Sequence, residues 1–292
     1  MYKFIYALIY IITLLPLRVL YLFSDVMYPL MYYVVRYRRD VVRKNLTNSF
    51  PEKSIKEIIR IEKKFYRHFS DLFIEAMYRM NITAEEFRKR TVCNHLDIVK
   101  NIYADDKSAF LMLGHFGNWE WTTMGLDLPL ESPLNPIYKQ LKNQTFDLLT
   151  KNLRERFGTK CIEMRSLFKT LLLKHKAGEK GLFLMLGDQR PKKDNTRLIM
   201  SFLNQPTSVF TGTEVMARKF NYPVLFLSID KSARGHYSYS IEVISMNPKD
   251  EPEGAITEKY IKRLEEDIQK KPELWLWTHD RWKHKIETPT EE

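Results

Sequence analysis

His115 and Glu120 stand five residues apart in the run His-Phe-Gly-Asn-Trp-Glu, 115–120. An imidazole beside a carboxylate is the minimum equipment for general-base chemistry. On one continuous helix that spacing sets the two side chains about 140° apart, because a turn takes about 3.6 residues, and they would not meet. The pair can work only if the backbone changes direction between them. The expectation is that His115 ends a strand, Asn118 caps the following helix, and the turn folds Glu120 back toward the imidazole. Such a site has a base and an orienting acid but no nucleophile of its own, which suits direct attack of a substrate hydroxyl on a thioester.

Other residues qualify as contacts. Asp188 ends an apolar strand, where α/β sites collect; its plain alternative is a turn cap. Arg165 is the first choice for touching an anionic headgroup or an oxyanion, against the alternative of a solvated Arg at a helix start. Lys139, Asn143 and Arg190 complete the substrate-binding candidates. The backbone amides around Gly114–Gly117, or a nearby Arg, are the candidate oxyanion donors. Trp275, Trp277 and Trp282 suit a membrane interface or a core, with at least one expected in the core. The other six His are scattered, no H-E-x-x-H occurs, and Cys93 and Cys161 are far apart. No metal, cofactor or disulfide framework is therefore expected, and the cysteines read as buried apolar thiols.

Positioning these groups requires buried strands ended by turns. Residues 108–114 (SAFLMLG), 181–187 (GLFLMLG) and 223–230 (PVLFLSID) read as such strands, with a shorter one at 134–138. Residues 237–246 alternate as an edge strand would. Helical spacing covers 52–80, where Ser54 and Glu57 form a capping box, and Thr83 and Glu86 repeat the signal. Further helices are expected at 143–157, 166–177, from Thr211 to Phe220, and at 255–270. Strands alternating with helices predict an α/β fold: a single catalytic domain with a central mixed sheet flanked by helices. Neither a linker nor a repeat divides the 292 residues.

The N-terminus is different. Residues 4–17 carry no charge, and an apolar, Tyr-rich stretch continues to Val35, broken by Arg18 and Asp25. Arg36, Arg38, Arg39, Arg43 and Lys44 follow. Pro16 and Pro29 predict kinks, and Arg18 is expected to snorkel or to pair with Asp25. No small-residue cleavage site follows the apolar run, so a cleavable signal fits poorly. Residues 1–35 are read as a membrane anchor and 36–292 as the catalytic domain, with the basic cluster at the cytoplasmic leaflet; the alternative is a long buried core helix. Lys and Arg number 47 against 36 Asp and Glu, a net +11 that favours anionic partners. None of the common nucleic-acid-binding motifs occurs, so an anionic membrane and acidic proteins are expected rather than nucleic acid.

The motif His-Phe-Gly-Asn-Trp-Glu after a buried strand resembles the H-x4-[DE] signature of glycerolipid acyltransferases. With Glu as its acid it resembles the bacterial lipid A late acyltransferases, the lauroyl and myristoyl transferases. The likeness runs in order along nearly the whole chain: YRRDVVRKNLTNSFP (37–51), IYKQLKN (137–143), RSLFKTLLLKHKAGEKGLFLMLGDQ (165–189), FTGTEVMARKFNYPVLFL (210–227) and WLWTHDRWK (275–283). Two places depart from it. Gly187-Asp188-Gln189-Arg190 stands where the family often has Pro-Asp-Gln-Asp, and Asp280 stands where a second Arg is usual. The resemblance implies transfer of an acyl chain from acyl carrier protein to a hydroxyl of a lipid A precursor at the inner membrane, with His115 as base and Glu120 holding its tautomer. The alternatives are an acyltransferase for another membrane lipid, such as a glycerophospholipid or an aminoacyl lipid, and a non-catalytic membrane-anchored binding protein.

Overall fold

The computed structural model describes residues 2–127, 134–191 and 198–283. At its centre lie two strands of nearly the same sequence, β2 (Ala109–Leu113, AFLML) and β5 (Leu182–Leu186, LFLML). They pair in parallel, from Ala109 opposite Leu182 to Leu113 opposite Leu186. Both are covered on two faces, so they show continuous apolar runs rather than alternation. Outward from β5 lie β3 (Leu134–Tyr138) and the short β4 (Ile162–Glu163), both parallel. Outward from β2 come β8 (Val224–Ala233), also parallel, then β9 (His236–Ser245), antiparallel to β8, and finally β1 (Thr91–Asn94), parallel to β9. The sheet is mixed, as the sequence predicts. The strand expected at an edge, β9, is interior, because β1 covers it; β1 is only four residues long and alternately exposed, too weak a pattern to read.

Helices cover the sheet: α5 (Ala84–Arg90), α6 (Leu96–Ala104), α7 (Thr122–Asp127), α9 (Leu167–Lys176), α10 (Gly212–Phe220) and α11 (Ala255–Lys270), while α8 (Gln144–Glu155) packs on α7 and on the first helix of the chain. Before the sheet come α1 (Tyr2–Thr13), α2 (Leu17–Pro29), α3 (Arg39–Ser49) and the long α4 (Ile55–Tyr78). The Ser54–Glu57 capping box at the start of α4 and the Thr83 cap on α5 both form. A hairpin of β6 (Ile199–Phe202) and β7 (Gln205–Ser208) stands apart from the main sheet.

Pro16 breaks the N-terminal stretch: its two arms diverge by 114°. No single helix among the described residues is long and apolar enough to cross a membrane, although the bent pair meets that test by length and composition. At the second proline the winding changes instead of the direction. Pro29 ends α2, and Leu30–Val34 continue as a π-helix.

The two faces of α2 differ. Leu17, Leu20, Tyr21 and Ser24 are buried where α2 packs on α4, and each Leu contributes about 2 kcal/mol of apolar burial. Leu22, Phe23 and Val26 on the other face are more than half exposed. The segment is thus neither a buried core helix nor a straight span. Asp25 pairs with Arg234 at 2.7 Å rather than with Arg18; the β8–β9 hairpin brings Arg234 to α2, which sequence spacing does not reveal. Part of the basic cluster also turns inward. Arg39 and Arg43 both bind the fully buried Glu62, whereas Arg36, Arg38 and Lys44 stay exposed.

Candidate active site

The parallel register of β2 and β5 sets the site. Leu113 lies opposite Leu186, and two residues beyond each strand end stand His115 and Asp188. Their side chains meet there: His115 Nδ1 lies 2.7 Å from Asp188 Oδ1, and the His115 backbone N–H donates to Asp188 Oδ2 at 2.9 Å. A Cβ on Gly114 would lie 2.6 Å from Leu264 Cδ1, so glycine at this strand end lets α11 pack closely. The C-terminal segment closes the other side. Trp275 Nε1 donates to Asp188 Oδ2 at 2.9 Å, the Leu276 N–H donates to the His115 carbonyl at 3.0 Å, and Gly117 N–H donates to the Leu274 carbonyl at 3.0 Å.

Asp188 is 1% exposed, and burial alone would raise its pKa. The charge of His115 and the bonds from His115 and Trp275 outweigh burial and hold the carboxyl at about 2. A carboxylate only accepts, so Nδ1 of His115 carries a proton, and in the neutral ring Nε2 presents its lone pair. The Gln189 side-chain amide lies 3.2 Å from that Nε2, and the Trp119 ring meets the imidazole edge-on with centroids 5.3 Å apart.

Glu120 is not the partner of the His115 ring. It receives Arg154 through two bonds, at 2.6 and 3.2 Å, and Arg79 at 3.0 Å. Burial would raise its pKa, but Arg154 and Arg79, with a smaller contribution from His115, bring it down to about 2. The cause is local. Asn118 does act as a cap, accepting from the Trp121 N–H at 3.0 Å, but α7 begins only at Thr122, and the turn directs Glu120 toward α8 and the end of α4. Two cations, one of them the 2%-exposed Arg79, compete for the carboxylate far more strongly than a neutral imidazole does.

The remaining candidates divide. Arg165 and Lys139 are exposed, and Asn143 caps α8, its side-chain oxygen accepting from Thr145 N and Phe146 N. Arg190 lies beside the closing segment: its N–H donates to His279 Nε2 and its guanidinium to the Asp280 carbonyl, both at 3.3 Å. Arg190 and Asp280, which stand in the two blocks where the resemblance breaks, are therefore neighbours. Trp275, Trp277 and Trp282 are all buried, so none serves as an interfacial anchor. Cys93 and Cys161 are half-buried, and burial raises their thiols to about 12 and about 11, far from the thiolate a nucleophile needs. The amides of His115 and Gly117 are engaged by Asp188 and Leu274. Arg154, partly exposed beside the motif where Arg79 is buried, stays among the oxyanion candidates with the amides of Gly114 and Phe116.

One signal in the sequence would have found the His115–Asp188 contact. Phe-Leu-Met-Leu-Gly occurs twice, at 110–114 and 183–187, followed once by His and once by Asp. Two such strands pairing side by side in parallel bring those two residues together. Nothing comparable marks Arg79 or Arg154.

The family model for bacterial lipid A biosynthesis acyltransferases matches residues 2–284. A lipid A biosynthesis palmitoleoyltransferase of Escherichia coli (strain K12) is 23% identical over 287 residues, covering 94% of this chain and 92% of that protein. A lipid A biosynthesis acyltransferase of Shigella flexneri matches with the same identity, 23%, and the same coverage.

Proposed function

The chain belongs to the family of bacterial lipid A biosynthesis acyltransferases and is an acyltransferase, and we propose that it carries a fatty acyl chain from the thioester of acyl carrier protein to a hydroxyl of a lipid A precursor, at the cytoplasmic side of the bacterial inner membrane. The observation that carries the mechanism is the 2.7 Å contact of Asp188 with His115 Nδ1. It favours the tautomer in which Nε2 is the base. His115 Nε2 takes the proton of the acceptor hydroxyl as its oxygen attacks the thioester carbonyl, displacing the Gln189 amide. The tetrahedral oxyanion collapses with loss of the carrier's thiolate, which takes the proton back from His115. Asp188 stabilises the imidazolium between these steps. Glu120 keeps its catalytic importance in a different role, holding the Arg154 guanidinium beside the motif to meet the developing oxyanion.

Electrostatics supports the partners. A net charge of +11 attracts an acidic carrier protein and a phosphorylated, membrane-borne acceptor alike. The exposed Arg165 and Lys139 are available to such groups, as are Arg36, Arg38 and Lys44 near the anchor. A second reading, another membrane lipid as acceptor, is favoured by the departures at Arg190 and Asp280 beside His279.

Two experiments test these readings. Mass spectrometry of lipid A from cells with and without the gene should show the loss of one acyl chain; unchanged lipid A with an altered phospholipid or aminoacyl lipid would select the second reading. In vitro, His115→Ala should cut transfer at least about a hundredfold, the usual worth of a general base. Asp188→Asn should cost more than Glu120→Gln. Wild-type transfer by folded His115→Ala, or a trapped acyl-Cys161, would overturn the mechanism.

A further inference from the structure

Behind the motif turn, α4 presents His68, Asp71 and Glu75, each less than 5% exposed. Steps of three and four residues set them on one stripe of the helix. Two of them grip consecutive residues of the turn. His68 Nε2 donates to the Gly117 carbonyl at 3.3 Å, and Glu75 Oε2 accepts from Asn118 Nδ2 at 2.6 Å. The Glu75 backbone carbonyl takes a third bond, from Trp121 Nε1 at 2.9 Å.

The polarity of these bonds is fixed from outside. Lys231 Nζ donates to His68 Nδ1 at 3.2 Å, which leaves the ring proton on Nε2, facing Gly117. Burial, and then the charge of Lys231, push the His68 pKa far down, so the ring stays neutral. Lys231 is itself held by Asp71 at 3.4 Å. Glu75 also accepts from Tyr21 of α2 at 2.7 Å and Tyr237 of β9 at 2.8 Å. The stripe is thus braced on both sides.

The turn needs a brace. Gly117 has φ +57°, and a Cβ there would lie 2.6 Å from Ile229 Cγ2. Buried imidazole and carboxylate groups give little net stability compared with apolar side chains of the same size. Their polar atoms are directed at the backbone and side chain of the motif itself.

We propose that His68 and Glu75 are positioning residues for acyl transfer: they fix the turn 115–121, and so the aim of His115 and Glu120, without touching substrate. The proposal rests on His115 as the base. It is tested on the full chain in detergent, with lauroyl-acyl carrier protein and a lipid A precursor as substrates, beside hydrogen exchange of the same variants. His68→Ala and Glu75→Ala should lower kcat by at least about tenfold, the scale on which small misplacements act, with KM for both substrates unchanged. Exchange should rise in peptides covering 114–122 and stay low in β2 and β5. His68→Gln, whose amide can still donate to Gly117, should recover much of the rate. Lys231→Met, which frees Nδ1 to take the ring proton, should reproduce the His68→Ala defect more mildly and serves where His68→Ala does not fold. Wild-type kcat in folded His68→Ala, exchange rising equally throughout the sheet, or a His68→Gln variant no better than His68→Ala would overturn the proposal. Absence of transfer by the wild-type protein would instead count against the function proposed above, and the exchange pattern would still decide this one.

Discussion

At the scale of single residues, the contacts of Asp188 make its charge a property of the fold. Its carboxyl sits at about 2, below the value of about 3.9 expected in an unfolded chain. The folded state therefore favours the carboxylate. Its contribution is complete above about pH 4 and is lost as pH falls through about 2. Asp188→Asn should lower Tm at neutral pH and flatten the fall in Tm between about pH 4 and 2, in a melting series of both proteins. Parallel curves across that window would mean that His115 and Trp275 do not hold the charge. A second prediction concerns Arg190 and Asp280. The Arg190 guanidinium lies against Asp280, so the two charges share a local field; Arg190→Asp and Asp280→Arg should each reduce activity, while the double swap should recover part of the loss. Strict additivity in that cycle would make the two sites independent. Residue types and spacing single out His115 and Asp188 separately but pair His115 with Glu120, because short sequence distance is visible and a partner across the sheet is not.

At the scale of elements, the sequence is most informative where burial or capping leaves a local pattern. The strands AFLML and LFLML, the capping box at Ser54 and the interruption at Pro16 all stand where their residues imply. It is least informative where an element draws its place from neighbours. The short β1 has only a weak alternation, and α8 carries no mark that its Arg154 will face Glu120. The divided surface of α2 leads to a prediction about attachment. Val26 is 68% and Leu22 62% exposed, so replacing both with Glu should leave Tm nearly unchanged. Membrane-fraction recovery after a high-salt wash should fall sharply, because the charges oppose burial of that face in lipid. Full retention of Leu22→Glu/Val26→Glu in the washed membrane would remove this face of α2 from the attachment.

At the scale of the molecule, the class of fold and the block order are legible along the chain, whereas the site's closure depends on contacts between distant segments. Trp275 reaches Asp188, Leu276 bonds His115, and Asn45 Nδ2 donates to the carbonyls of Trp277 and His279, both at 3.0 Å. This closure has a consequence for the order of events during synthesis. A chain made from its N-terminus exposes α1 and the outward face of α2 long before residues 275–279 exist. Through that interval His115 has neither the backbone bond from Leu276 nor an Asp188 oriented by Trp275. Until those residues emerge, His115 lacks the contacts that fix its orientation, so the site is completed last although its motif is made early.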